Sequence, residues 1–103
     1  MEKVKLSKHL LEDRSDRVTF ILMHTGIGTV IYEKLKEGRR LCLTDEGVVL
    51  VKGIDDTIIT MYYAEMAQAR FACEEERIPK AVKSAIERNI KKGWLTAQNT
   101  TKY

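Results

Sequence analysis

The chain of 103 residues is 44% hydrophobic and 32% charged and contains one proline, a composition typical of a single compact domain. Its longest charge-free run, residues 18–32, is interrupted by histidine, threonine and glycine, so it is too polar to span a bilayer. The first residues alternate charged and single apolar side chains, so we expect no secretory signal, a cytoplasmic location and no membrane partner. The net charge of +3 is uneven, because residues 77–103 hold seven Lys and Arg against one carboxylate.

Two short helices are predicted near the N-terminal end. Ser7 is a suitable N-cap for a helix at residues 8–13, because its hydroxyl can accept a hydrogen bond from a free amide of the first turn. Ser15 repeats this signal before a second helix, whose apolar residues share one face. Two glycines soon after His24 indicate the end of this second helix.

Four runs rich in β-branched and aromatic residues follow, and the breaks between them each contain a glycine. The runs are Thr29–Leu35, Arg39–Thr44, Val48–Lys52 and Thr57–Tyr63. This pattern predicts an antiparallel meander of four strands, or of three if the first run continues the preceding helix, whose spacing it also fits. The third run is apolar on both faces, as in a central strand covered on both sides.

Two more helices are predicted after the sheet, one over residues 64–73 and one that begins near Pro79 and stops at Gly93. We therefore expect a single α+β domain over residues 1–95. In it, N-terminal and C-terminal helices pack on one face of an antiparallel three- or four-stranded β-meander. Residues 96–103 are predicted to be a flexible tail.

Cysteine and histidine spacing argues against a metal site. Cys42 and Cys73 lie in predicted regular structure without the spacing of a disulfide framework, which favours buried free thiols in a reducing cytoplasm. Together with His9 and His24 they match none of the short paired spacings that chelating loops provide. We expect no metal and no cofactor.

A set of polar residues supplies the groups that metal-independent RNA cleavage needs. The reaction requires a group that takes the 2′-hydroxyl proton, an acid for the leaving oxygen and cations around the transition state. Histidine titrates in the required range, arginine offers a planar fork for phosphate, and hydroxyls can orient the scissile group. Whether these side chains converge is open, and each also has a structural explanation as a helix-surface, strand-end or ordinary strand residue. The candidates are Lys8, His9, Arg14, Arg39, Arg40, Thr44, Thr57, Thr60 and Tyr62.

The last long helix carries a second candidate site, a row of basic residues that suits binding to nucleic acid. Phosphate contacts by these side chains would make binding depend on salt. The alternative is the solvated face of an amphipathic helix, which needs no partner. The residues are Lys80, Lys83, Arg88, Lys91 and Lys92.

Three segments carry a resemblance to known proteins: Ser7-Lys8-His9 with Glu12 and Arg14, the stretch Arg40–Val48 and the stretch Thr57–Tyr62. In these segments the chain resembles small proteins of phages and prophages of Gram-positive bacteria. The order of its elements is similar to that of the barnase, EndoU, colicin and RelE group of ribonuclease-type folds. The resemblance implies a catalytic site formed by His9, Arg40, Thr60 and Tyr62.

Two hypotheses for function follow. The first is a small phage-type protein with metal-independent ribonuclease-like or RNA-binding activity. The second is a non-enzymatic homo-oligomeric interaction module that binds a host or phage protein, because a meander with an open edge strand can pair with its own copy. The expected partners are therefore RNA, or a host or phage protein together with a second copy of the chain.

Overall fold

The computed structural model describes residues 6–13, 15–73 and 77–98. Two helices precede the sheet in this part of the chain, α1 (Lys8–Asp13) and α2 (Ser15–His24). The strands are β1 (Val30–Lys36), β2 (Arg39–Thr44), β3 (Val48–Lys52) and β4 (Ile58–Tyr63). Three helices follow the sheet: α3 (Met66–Cys73), α4 (Lys80–Lys91) and α5 (Trp94–Ala97).

The four strands form one antiparallel sheet in the order β1-β2-β3-β4, which confirms the predicted α+β meander. The segment that fitted both strand and helix is a strand from Val30 onward. Its spacing alone could not decide this, but Tyr32 lies opposite the buried Leu43 of β2, and six of the seven residues of β1 have a partner in β2, with an irregularity between Val30 and Tyr32.

A glycine makes the turn between β2 and β3 and lets α4 approach it. Gly47 has a φ of 78°, in the left-handed region that favours glycine. A Cβ at this position would lie 3.0 Å from Nδ2 of Asn89 and 3.1 Å from Cγ1 of Ile86, both in α4. Both the turn and the close approach of α4 therefore require glycine at position 47.

Helices cover both faces of the sheet, so the expectation of a single covered face is wrong. On the first face, which we call the α1–α2 face, Leu10 and Ile21 pack with residues of the strands, including Cys42, Leu50 and Met61. On the second, the α3–α4 face, helix residues pack with Leu43 and Val49; these helix residues are Ala69, Ala72, Cys73, Val82 and Ile86. Coverage of one face alone would leave Leu43 and Val49 in water, and the apolar run in β3 already pointed to burial on both sides.

The helix ends match the capping signals of the sequence. The Leu10 amide donates to Oγ of Ser7 at 3.1 Å, as expected for the N-cap of α1. Pro79 directly precedes α4 with a φ of −56°, and Gly93 follows this helix with a φ of 77°.

The predicted tail at residues 96–103 begins too early. Thr96 and Ala97 belong to α5, and Gln98 is only 6% exposed. The side-chain amide of Gln98 binds the backbone of β4: its Oε1 accepts from the Tyr63 amide at 2.8 Å, and its Nε2 donates to the Tyr63 carbonyl at 3.1 Å. Residues 99–103, the remainder of the predicted tail, lie outside the described residues.

Both cysteines are free and buried, as predicted, and they lie in the cores of opposite faces. Burial raises the pKa of the Cys42 thiol, and the nearby Glu33 carboxylate adds to this effect. Within the described residues, no helix has the length and apolar character needed to cross a membrane.

Candidate nucleic-acid interface

The sheet separates the residues that the resemblance placed in one catalytic site. Arg40 alternates with Leu41 along β2 and therefore shares the α1–α2 face with Cys42. Thr60 and Tyr62 lie opposite residues of β3 that belong to the α3–α4 face, and Tyr62 packs against that core. The structure thus does not bring Arg40 together with Thr60 and Tyr62.

His9, the fourth member of that set, belongs to α1. Its side chain lies outside the described residues, as does the whole of Arg14, so their catalytic roles stay predictions. In the described part of the chain, no group of three or more His, Cys, Asp and Glu side chains could hold a metal ion.

Arg40 has structural partners on its own face. Its Nη2 forms an ion pair with the Asp56 carboxylate in the β3–β4 loop, and its Nη1 lies 3.9 Å from Oε1 of Glu33 on β1. These contacts link β2 to β1 and to the β3–β4 loop. A guanidinium held by two carboxylates is poorly placed to bind a phosphate, because the anion would have to displace them.

The basic residues of α4 divide into two groups. Lys80, Lys83 and Lys91 are exposed on the outer side of the helix. Arg88, in contrast, donates from Nη2 to Oε1 of Glu46 at 2.9 Å and also to Oδ1 of its neighbour Asn89, which fixes α4 to the β2–β3 turn.

Basic side chains near the end of α4 also contact Trp94, so they are not simply solvated. The Lys92 ammonium lies 5.9 Å from the centre of the Trp94 ring, and the guanidinium carbon of Arg88 lies 5.8 Å from it. The His24 ring meets the same indole edge-on at 4.9 Å. Two of the five predicted phosphate ligands are therefore engaged with neighbouring side chains, and the role of this row in nucleic-acid binding stays a prediction.

A groove on the α3–α4 face was not foreseen. It has a volume of about 310 Å³ and lies between α3 and residues of β1, β2 and β4. We call it the α3 groove; it is lined by Lys36, Leu41, Tyr62, Ala67, Gln68 and Phe71. Its floor is apolar and contains two aromatic rings, one of which, Phe71, is 45% exposed.

Two hollows adjoin the α3 groove and share lining residues with it. At the β1–β2 hairpin, a hollow of about 200 Å³ shares Lys36 and Leu41 with the groove and adds Arg39. Near α5, a hollow of about 230 Å³ shares Tyr62 and Gln68 and adds Arg17. The three depressions thus share lining residues, and each of the two hollows adds an arginine to those of the groove.

Two lysine ammonium groups lie over the Phe71 ring of the groove. The Lys34 ammonium lies 3.7 Å from the centre of the Phe71 ring and donates to the Phe71 carbonyl at 3.1 Å, and the Lys36 ammonium lies 4.7 Å from the same ring. Two carboxylates, Glu37 and Glu65, line only the outer hollows. The central groove is therefore apolar at its floor and positive at its rim.

Tyr62 lies where the α3 groove meets the hollow near α5. Burial raises the pKa of its phenol, and the nearby positive charge of Arg17 only partly opposes this shift. The side chain therefore stays protonated at neutral pH and offers a ring and a hydroxyl, but not a base. This chemistry suits binding better than proton transfer.

We compared the chain with models of known protein families, with curated proteins and with solved structures. None of them matches. The resemblance to phage and prophage proteins and to ribonuclease-type folds therefore stays a prediction. The sequence did carry one signal for the groove, because Lys34 and Lys36 share a face of β1, but only the position of α3 brings Phe71 beneath them.

Proposed function

We propose that the protein binds single-stranded RNA in the α3 groove without cleaving it. The observation that carries this proposal is the coincidence of two exposed or half-exposed rings, Tyr62 and Phe71, with the cations of Lys36 and Arg39 along one groove. Proteins that bind single strands combine aromatic side chains, on which bases stack, with a positive groove that follows the phosphates.

A binding role fits the arrangement better than the ribonuclease hypothesis does. Catalysis requires an acid, a base and cations within reach of one phosphate. Arg40 and Tyr62 lie on opposite faces of the sheet, so the cation and the hydroxyl of the hypothesis are not within reach of one phosphate. Stacking and charge attraction, by comparison, need only the surface that α3 and the strands present together.

We also propose that the protein acts in the cytoplasm as a phage-type protein. Two buried free thiols support a reducing compartment, since cysteines in oxidising compartments are commonly paired. A host or phage protein that presents apolar and acidic side chains is the competing partner for the same groove, and the experiment below separates it from RNA.

The test is fluorescence anisotropy of a labelled ten-nucleotide RNA, titrated with the protein at several salt concentrations. We expect binding that weakens with salt. The double variant Lys36→Glu/Arg39→Glu should weaken it at least about tenfold and make the salt dependence shallower by roughly 0.7 in logarithmic slope for each lost phosphate contact. Phe71→Leu should weaken binding by about 1–3 kcal/mol at most salt concentrations, because it removes a stacking surface.

The matched control is Lys80→Glu/Lys83→Glu, which makes the same change of charge on the outer side of α4. It should reduce affinity much less than the groove variant. An equal or larger reduction would assign binding to α4 instead of the groove. RNA that does not bind at low salt overturns the proposal and leaves the groove to a protein partner, and RNA that is cut in EDTA restores the ribonuclease hypothesis.

A further inference from the structure

The hollow near α5 differs from the α3 groove in the chemistry of its walls. The groove has an apolar floor, whereas charged and amide side chains supply most of the lining of the hollow. Its two charged side chains have opposite signs, because Arg17 of α2 and Glu65, which directly precedes α3, both line it. A carboxylate repels a phosphate. The hollow therefore suits a neutral group that carries both donors and acceptors.

Local hydrogen bonds fix the position of Glu65. Its amide donates to Oε1 of Gln68 at 2.8 Å, and its carbonyl accepts from the Ala69 amide at 3.0 Å. Both bonds use the backbone of Glu65 and not its carboxylate, and the residue is exposed. The carboxylate is therefore held at the start of α3 and is accessible to a ligand.

Tyr62 and Arg17 form the other side of the hollow. The positive charge of Arg17 lowers the pKa of the Tyr62 phenol, although burial outweighs this effect, so the two side chains are neighbours. Leu95 of α5 adds an apolar side chain to the lining. An aromatic ring, a guanidinium and a carboxylate thus border one space of about 230 Å³.

We propose that this hollow holds one guanine base of an RNA strand bound in the α3 groove. The proposal rests on the proposed function, and the hollow and the groove share Tyr62 and Gln68. Guanine presents two neighbouring donors, N1–H and N2–H, to one carboxylate and two neighbouring acceptors, O6 and N7, to one guanidinium. Glu65 accepts from the donors, Arg17 donates to the acceptors, and the base stacks on Tyr62.

The other bases match the two charged side chains less well. Adenine and cytosine each present one amino group, and uracil presents one N–H, so none of them offers a carboxylate donors on two neighbouring nitrogens. The pairing of arginine with O6 and N7 of guanine is also the commonest specific base contact in complexes with DNA. The opposite charges in one hollow therefore favour guanine.

The test is fluorescence anisotropy with ten-nucleotide uridine strands that carry one guanine, adenine or cytosine at the centre. We expect the wild type to bind the guanine strand about tenfold more tightly than the other two. Glu65→Gln should bring the three affinities to within about twofold of each other, because an amide offers one acceptor atom where guanine needs two. Its affinity for an all-uridine strand should not fall, because the substitution removes a negative charge near the RNA.

The matched control is Glu37→Gln, which makes the same substitution in the hollow at the β1–β2 hairpin. It should keep the preference for guanine. Equal loss of the preference in both variants, or a wild type that binds the three strands equally, would overturn the guanine assignment while RNA binding stands. If no strand binds, RNA binding itself fails and the guanine assignment fails with it.

Free guanosine monophosphate distinguishes a base within a strand from a free nucleotide. It should displace the guanine strand more effectively than adenosine monophosphate does, but only at concentrations well above those at which the strand itself binds, because it lacks the contacts along the α3 groove. Equal displacement by the two nucleotides would contradict a guanine site. Guanosine monophosphate that binds as tightly as the strand would overturn the assignment of the base to RNA.

Discussion

The two edges of the sheet differ in what covers them and in the composition of their strands. The β4 edge is closed by hydrogen bonds that do not come from a strand of regular length: a short bridge at Ile58 and a side-chain amide at Tyr63. The β1 edge carries two exposed aliphatic side chains, and its only strand neighbour in the described residues is β2. The two strands also differ in composition, because β1 carries the charged residues Glu33, Lys34 and Lys36, of the kind that protect an exposed edge, whereas β4 carries none and is covered by other segments.

The comparison teaches that this covering is local and comes from few residues. Gln98 acts as a substitute for one residue of a fifth strand, because its amide carries the same donor and acceptor as a peptide group. At the other end of β4, Ser7 contacts both β4 and α1: its amide donates to the Ile58 carbonyl of β4, and its hydroxyl caps α1. The three predictions below test the contacts at Gln98, at Ser7 and at the Tyr63 phenol, in order of decreasing effect.

The largest effect is expected for Gln98→Met, which keeps the length and approximate volume of the side chain but removes both hydrogen bonds to Tyr63. Each buried backbone group left without a partner costs about 1–3 kcal/mol, so the free energy of unfolding should fall by about 2–4 kcal/mol. Urea denaturation followed by Trp94 fluorescence measures this change.

Gln68→Met is the matched control for that experiment. The Oε1 of Gln68 accepts from the Glu65 amide at 2.8 Å, but this bond is exposed and water can replace it. The control should change the free energy of unfolding by no more than about 0.5 kcal/mol. If Gln98→Met proves as stable as Gln68→Met, the amide of Gln98 does not hold the β4 edge.

A smaller effect is expected at the other end of β4. Ser7→Ala removes the hydroxyl, which accepts from the Leu10 amide and donates to the Ile59 carbonyl at 3.4 Å, but keeps the backbone bond to Ile58. Loss of an N-cap should lower the free energy of unfolding by about 1 kcal/mol. Ser84→Ala, at an exposed position within α4, should be neutral or slightly stabilising, because alanine has the higher helix propensity. Equal effects of the two substitutions would contradict a capping role for Ser7.

Most of the fold could be predicted from the sequence, because alternation and glycine turns are local signals. The coverage of both faces was missed although the apolar run Val48–Val51 indicated it, since a strand pattern does not say which helix lies on which side. The role of Gln98 had no sequence signal, because one polar residue near the end of a chain resembles any other tail residue. Tertiary contact alone gives this amide its role.

The candidate site was harder to predict, because it depends on which face each side chain occupies. Strict alternation puts Ile58 and Thr60 on the same side of β4. A bulge in β4 breaks that alternation, because Ile58 and Thr60 pair with the adjacent residues Lys52 and Val51 of β3. Ile58 therefore joins the α1–α2 core, while Thr60 pairs with Val51 of the other face. The separation of Arg40 from Thr60 and Tyr62 therefore followed from register, which composition does not reveal.

The smallest effect concerns pH and the covered end of β4. Burial raises the pKa of the Tyr63 phenol; its hydrogen bond to Oγ1 of Thr25 at 2.9 Å opposes this, but the net shift is upward. A raised pKa in the folded state stabilises the protein fully below the ordinary tyrosine pKa of about 10. That contribution is lost as the pH rises further, because the unfolded chain releases the proton first.

Tyr63→Phe should therefore lose less stability than the wild type between pH 9 and about 11, even though it starts lower at pH 7 because the bond to Thr25 is gone. Urea denaturation at a series of pH values measures both effects in one experiment. The Thr25→Val variant also lacks the bond but keeps the phenol, so it should start lower at pH 7 and still show the alkaline loss. If Tyr63→Phe instead follows the pH dependence of the wild type, the alkaline loss comes from other groups, and the phenol at the end of β4 contributes to stability only through its packing and its bond to Thr25.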